Sequence, residues 1–245
     1  MFRHQGKSRS LIQNLQIATV LSFVAGMVNV TGFLTIKQLT TNVTGHFALF
    51  VYDFYNLDFW KGSIYFIYIL AFLAGSIFSG FVLEIFRQNK KLNVFVVPTF
   101  IEALILIGTA IWYDCGGNNF PNVVACLLLF AMGLQNSFVT KISGSVVRTT
   151  HLTGLFTDLG IDIAQCFFPE HDHHRKKLMD NIKLRIYIIF FFFSGGIMAA
   201  FLHTSMRLHL KTLIVAAAVL LLSLFFDDLR FRVLKSRRKR KNKTK

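Results

Sequence analysis

Residues 41–53 read T-N-V-T-G-H-F-A-L-F-V-Y-D, and residues 150–162 read T-H-L-T-G-L-F-T-D-L-G-I-D. Both fit T-x-x-T-G-x-F-x5-D, which pairs Thr41, Thr44, Gly45, Phe47 and Asp53 with Thr150, Thr153, Gly154, Phe156 and Asp162. Upstream, Gly26-Met27-Val28-Asn29 matches Gly133-Leu134-Gln135-Asn136. Self-similarity of this kind has to be read before single motifs, because it sets the architecture. Around each copy the order is the same: a long apolar stretch, a short one carrying the T-G element, then two more long ones.

The composition fixes the solvent. Of 245 residues 53% are hydrophobic, 28 are Phe, and the mean hydropathy is +0.52. Only 16% are Asp, Glu, Lys or Arg, against about 25% in a soluble domain. A soluble fold of this size could not hide so much apolar surface, which argues against a cytosolic enzyme. Three Pro and this hydropathy exclude a disordered or collagen-like chain. A bilayer span needs about 20 apolar residues in a helix, since lipid offers no partner to backbone N–H and C=O groups. Six stretches qualify: 14–36, 62–86, 92–113, 121–141, 182–206 and 209–227. Two more, 44–57 and 153–168, run for 14 and 16 residues and carry acids. These read as re-entrant or half-length helices. The expected fold is an all-α membrane protein with six transmembrane helices and two short ones.

The halves meet at Asp114-Cys115-Gly116-Gly117-Asn118-Asn119, a turn-rich run before Pro121, which suits a helix's first turn. The organisation is a basic N-terminus (1–13), a first membrane repeat (14–114), a second (121–229) and a basic tail (230–245). Three spans is odd, so the second repeat enters the membrane from the opposite side. The expectation is an inverted three-span repeat, an arrangement that recurs in secondary transporters. Residues 15–36 have span length and no A-x-A site, which reads as a retained helix rather than a cleaved signal.

Positive charge orients the chain. With six spans and both termini cytoplasmic, the inner side holds 23 Lys and Arg, and the outer side keeps Lys37, Lys61, Arg207 and Lys211. The last eleven residues carry eight bases, which suit anionic lipid headgroups; nucleic-acid binding is not expected. Cys115, Cys126 and Cys166 suggest neither a disulfide framework nor a zinc site, and no cofactor motif occurs. The cluster Glu170-His171-Asp172-His173-His174 lacks i, i+4 ligand spacing and adjoins Arg175, Lys176 and Lys177, so it reads as a solvated loop.

Asn29-Val30-Thr31-Gly32-Phe33 and Thr44-Gly45-His46, with Gly133-Leu134-Gln135-Asn136 and Thr150-His151-Leu152-Thr153-Gly154, resemble the YoaK-like family of small bacterial membrane proteins of unknown function. The resemblance runs from about residue 15 to 228. It implies a compact helical bundle in the bacterial cytoplasmic (inner) membrane and no established substrate. The family's early motif usually reads T-G-N and its first-span polar residue is often Asp. Here His46 and Asn29 stand at those places.

Polar groups in hydrocarbon need reasons. Asn29 and Asn136 hold equivalent places and could either hydrogen-bond broken backbone or offer amides to a solute. Thr44-Gly45 and Thr153-Gly154 fit helix starts, where a Thr hydroxyl can cap the first turn and Gly admits a close backbone or ligand. Such starts carry about half a positive charge, which favours an anionic or dipolar group. His46 adjoins the first element as a candidate polar contact. Asp53 and Asp162 oppose the helix dipole near the far ends of the short helices, so each calls for a cation, a proton or a basic side chain. Glu102, ten residues into its span, is the candidate proton carrier, with a hydrogen bond to a facing helix as the competing reading. Glu84 lies beside Arg87 and reads as snorkelling. Gly75, Gly80, Gly195 and Gly196 read as packing.

The resulting expectation is a small secondary transporter or permease for a small polar or anionic solute. Its binding residues are Asn29, Thr44, Gly45, His46, Asn136, Thr153 and Gly154, with Glu102, Asp53 and Asp162 as coupling candidates. A non-transporting scaffold or partner-binding subunit is the alternative, with self-association left open. An enzyme is not expected, because no nucleophile–base pair is evident.

Overall fold

A computed structural model describes residues 10–87, 96–168 and 175–243, with side chains described through Asp227. Among the described residues eight α-helices follow one another: α1 Leu11–Ile36, α2 Val43–Tyr55, α3 Phe59–Arg87, α4 Val96–Asp114, α5 Pro121–Ser143, α6 Leu152–Gln165, α7 Arg175–Thr204 and α8 Thr212–Lys243. Among the described residues there is no strand. Six of the described helices are long and apolar enough to cross a membrane, and the chain is a multi-pass helical membrane protein. The basic N-terminus up to residue 9 and the acid–histidine cluster at 170–174 lie outside the described residues. The same holds for the side chains of the basic tail.

Local sequence explains the helix ends. Ser10 and Gln13 form a reciprocal capping box at the start of α1, with Gln13 N donating to Ser10 Oγ at 3.4 Å and Ser10 N to Gln13 Oε1 at 3.1 Å. Pro121 occupies the first turn of α5, and Gly144 ends it at φ 63°. α2 has 13 residues and α6 has 14, about 20 Å of helix against a hydrocarbon core of about 30 Å. Both are therefore half-length, as the sequence indicates. α7 begins at Arg175, well before the expected 182, so its first two turns extend beyond the apolar stretch.

α1 and α5 form the centre, each with 61% of its apolar window buried, against 28–39% for the other four long helices. The two most extensive helix contacts are α1 on α7 and α5 on α3. Both seams are built alike. A Cβ on Gly26 would collide with the Phe192 carbonyl of α7, and one on Gly195 with the Phe23 carbonyl of α1. At the other seam Gly133 faces the Phe72 carbonyl and Gly75 the Phe130 carbonyl. Ser76 Oγ adds a 3.0 Å bond to the Gly133 carbonyl. Only hydrogen at these four positions lets the backbones touch, where dispersion and Cα–H···O contacts replace the absent hydrophobic drive. Gly196 also packs, its Cβ position lying 3.0 Å from Val30 Cγ2. Gly80 does not: nothing lies within 4 Å of its Cβ position, so the packing role expected there is corrected.

α4 and α8 pack on each other and on α5 and α1 respectively, closing one side of the central pair. α2 lies along α3 and α6 along α7. Their outer faces carry exposed apolar side chains such as Phe47, Tyr52, Phe156 and Ile161, as lipid contact requires. Replacing Gly26 or Gly133 by Ala should lower stability by about 1–3 kcal/mol through overpacking. Gly80→Ala should stay within about 0.5 kcal/mol. Thermal unfolding of the purified chain in detergent reads both.

Candidate functional site

Between the central pair and the short helices lies a partly open cavity of about 980 Å³. Its walls come from both halves: Asn29 from α1 and Asn136 with Thr140 from α5, Val43 to Gly45 at the start of α2 and Leu152 with Thr153 at the start of α6. Phe72 of α3 and Phe192 of α7 complete it, and these two are the residues whose carbonyls meet the seam glycines. α4 and α8 contribute no lining residue among those described.

Two irregular segments, 37–42 and 144–151, bring the chain from the central helices to the short ones. Lys37 turns the first at φ 57°. Backbone that leaves a helix must find other partners, and polar side chains of the long helices supply some. Asn29 Oδ1 accepts from Thr41 N at 3.2 Å and from Thr41 Oγ1 at 3.0 Å. Gln135, fully buried beside Asn136, donates from Nε2 to the Leu21 carbonyl at 2.8 Å and to Thr149 Oγ1 at 3.1 Å. Ser143 Oγ accepts from Val147 N at 3.0 Å. Asn29 thus bonds broken backbone and also lines the cavity. Asn136 Oδ1 is buried with no hydrogen-bond partner among the described residues.

The Thr residues do not cap the short helices, which corrects the expected capping role. Asn42 caps α2, accepting from Gly45 N at 2.9 Å, and His151 precedes α6 without a side-chain cap bond. The glycines serve those residues. A Cβ on Gly45 would stand 2.7 Å from Asn42 Nδ2, and one on Gly154 would run into the His151 ring. Thr44 and Thr153 are exposed and line the cavity, leaving their hydroxyls available there.

Three expected groups lie elsewhere. His46 is buried and does not line the cavity: its Nε2 is 2.8 Å from the Leu39 carbonyl, and its ring packs on Tyr65 and Tyr68 of α3. Tyr68 in turn donates to Asn122 Oδ1 at 2.6 Å. The histidine braces α2 against α3. Gly154 touches His151 rather than the cavity. Glu102 is fully buried on α4, its carboxyl oxygens without hydrogen-bond partners among the described residues, on a helix whose main neighbours are α5 and α8.

The two aspartates separate. Asp162 forms an ion pair with Arg185 of α7, which also lies 3.6 Å from the Asp158 carboxylate and donates to the Asp158 carbonyl at 3.2 Å. A basic side chain is therefore the counter-charge that the sequence left open among three choices. Asp53 stands near the end of α2 and lines no described cavity. Glu84 pairs with Lys141 of α5 at 3.3 Å, across the α3–α5 seam.

Sequence reasoning missed Asn42, Gln135 as a tie between segments, and Arg148. Arg148 is exposed in the 144–151 segment, lines the cavity and has no ion pair among the described residues. Gln135 was signalled by its place beside the matched Asn136, whereas Arg148 reads in sequence as one more inner-side charge. Asn42→Ala should cost about 1 kcal/mol of stability through the lost cap. Thr44→Ala should change it by less than about 0.5 kcal/mol, and thermal unfolding of the two variants side by side distinguishes them.

The family described as "Protein of unknown function (DUF1275)" matches residues 17–226, from the second turn of α1 to the membrane end of α8. No curated protein and no solved structure matches the chain. The match covers every element that builds the two seams and the cavity, and the chain belongs to the DUF1275 family.

Proposed function

We propose that this protein is a small permease whose central cavity holds a small polar or anionic solute. The observation that carries the reading is that the starts of both short helices open onto one cavity together with Asn29 and Asn136. Helix starts and unwound segments at membrane depth are how secondary transporters build their sites. Each start contributes about half a positive charge, and the Thr44 and Thr153 hydroxyls, released from capping by Asn42 and by the geometry at His151, can turn to a solute.

The halves are read as an inverted-topology repeat. Support comes from the twin seams, in which the first helix of each half meets the third helix of the other through equivalent Gly and Phe positions. Alternating access would then rock one seam against the other. The bases at both ends of the chain favour a cytoplasmic side for the termini and, with the family resemblance, the bacterial inner membrane. Glu102 is the candidate for proton linkage, acting from α4 through its contact with α5 rather than from the cavity wall.

Purified protein in proteoliposomes should take up at least one class from a labelled panel of carboxylates, amino acids, sugars and amines. The Thr44→Val/Thr153→Val double variant should lose at least tenfold of that rate with an unchanged unfolding midpoint. Any stimulation by an inward proton gradient should vanish in Glu102→Gln. Absence of flux for every class would overturn the permease reading.

A further inference from the structure

Much of the cavity lining is matched between the two irregular segments and the helix starts that follow them, with one departure in charge. Thr41 pairs with Thr150, Asn42 with His151, Val43 with Leu152 and Thr44 with Thr153, and all of these line the cavity. Two steps earlier in the same register, Leu39 pairs with Arg148, and both line it as well. Arg148 is thus the cation that one half adds to a lining otherwise polar or apolar. No Asp or Glu lines the cavity among the described residues, and no ion pair holds the guanidinium.

We infer that the cavity takes a small organic monocarboxylate and that Arg148 is the residue that selects its charge. The inference rests on the permease reading only for the direction of traffic; binding stands by itself. An uncompensated cation beside two helix starts makes a cation a poor occupant, and a neutral solute leaves the charge unmet. The fork of a guanidinium fits a planar carboxylate through two parallel N–H···O bonds. One fixed positive charge matches a monoanion better than phosphate, which carries about 1.5 to 2 charges near neutral pH.

Size argues for an organic body. About 980 Å³ far exceeds a halide or small oxyanion and falls near the upper end of organic-ligand sites, which run to about 1,000 Å³. Phe72 and Phe192 supply apolar walls from equivalent positions of α3 and α7. The arrangement therefore offers charge recognition in the 144–151 segment and a sleeve for hydrocarbon between the aromatic residues.

The test is calorimetric titration of the full-length protein in detergent with acetate, benzoate and citrate, and with benzamide, benzylamine, sulfate and chloride as contrasts. Benzoate should bind at least tenfold more tightly than benzamide, benzylamine, citrate or the inorganic anions. Arg148→Gln should weaken benzoate at least tenfold, and Arg148→Lys should retain an intermediate affinity, since it keeps the charge and loses the fork. Arg148 has no partner among the described residues, so folding should survive. If Arg148→Gln nevertheless fails to fold, Arg148→Lys and the wild-type rank order still decide. Equal affinity for benzoate and benzamide, preference for benzylamine or sulfate, unchanged affinity in Arg148→Gln, or no binding by any of the three carboxylates would each overturn the inference. Benzoate binding without flux would sink the permease reading alone, whereas flux of a neutral solute untouched by Arg148→Gln would sink the carboxylate site alone.

Discussion

Four glycine hydrogens govern how closely this bundle can close. At Gly26 and Gly195 on one seam, and Gly133 and Gly75 on the other, a helix backbone rests directly on the carbonyl of a Phe in the facing helix. In lipid, apolar side chains gain nothing by leaving their surroundings, so association depends on such close approach and on polar ties. The two seams also cross the boundary between the halves: α1 grips α7 and α5 grips α3. Each half therefore has its closest helix contact in the other half.

The same seams shape the interior. Because Phe72 and Phe192 lend their carbonyls to the glycines and also line the cavity, its walls are fixed by the tightest contacts in the molecule. What remains loose is on the opposite side of that space, where α2 and α6 each lean on a single principal neighbour. The two are anchored differently. α2 is held by the buried His46 among Tyr65, Tyr68 and the Leu39 carbonyl, whereas α6 is held by Arg185 gripping Asp158 and Asp162. Matched backbones thus carry unlike latches, one aromatic and the other ionic.

Polarity inside the protein follows the broken backbone. Asn29 and Ser143 bond backbone N–H groups of the irregular segments, which have no helix to satisfy them, and Gln135 ties the Thr149 hydroxyl of the second segment to the Leu21 carbonyl of α1. The cavity exists because those segments do not continue as helix. Its chemistry is what is left after the backbone has been served: the hydroxyls of Thr44, Thr150 and Thr153, the His151 ring and the Arg148 guanidinium.

The hydrophobic pattern alone determined six long helices and two short ones, because lipid admits helices of definite length and penalises everything else. Pairing of Asn29 with Asn136 and of Thr44 with Thr153 also came from the sequence, since repetition exposes equivalent positions without any knowledge of packing. Depth was readable for His46 and Glu102, but the side each faces was not, because an apolar run carries no mark of which neighbour a given face will meet. Only the tertiary structure decided that His46 turns toward α3, that Glu102 sits away from the cavity, and that Asp162 finds Arg185. It likewise turned Arg148 from an orienting charge into the cation of the cavity, because the position of a residue in an irregular segment is set by the helices around it.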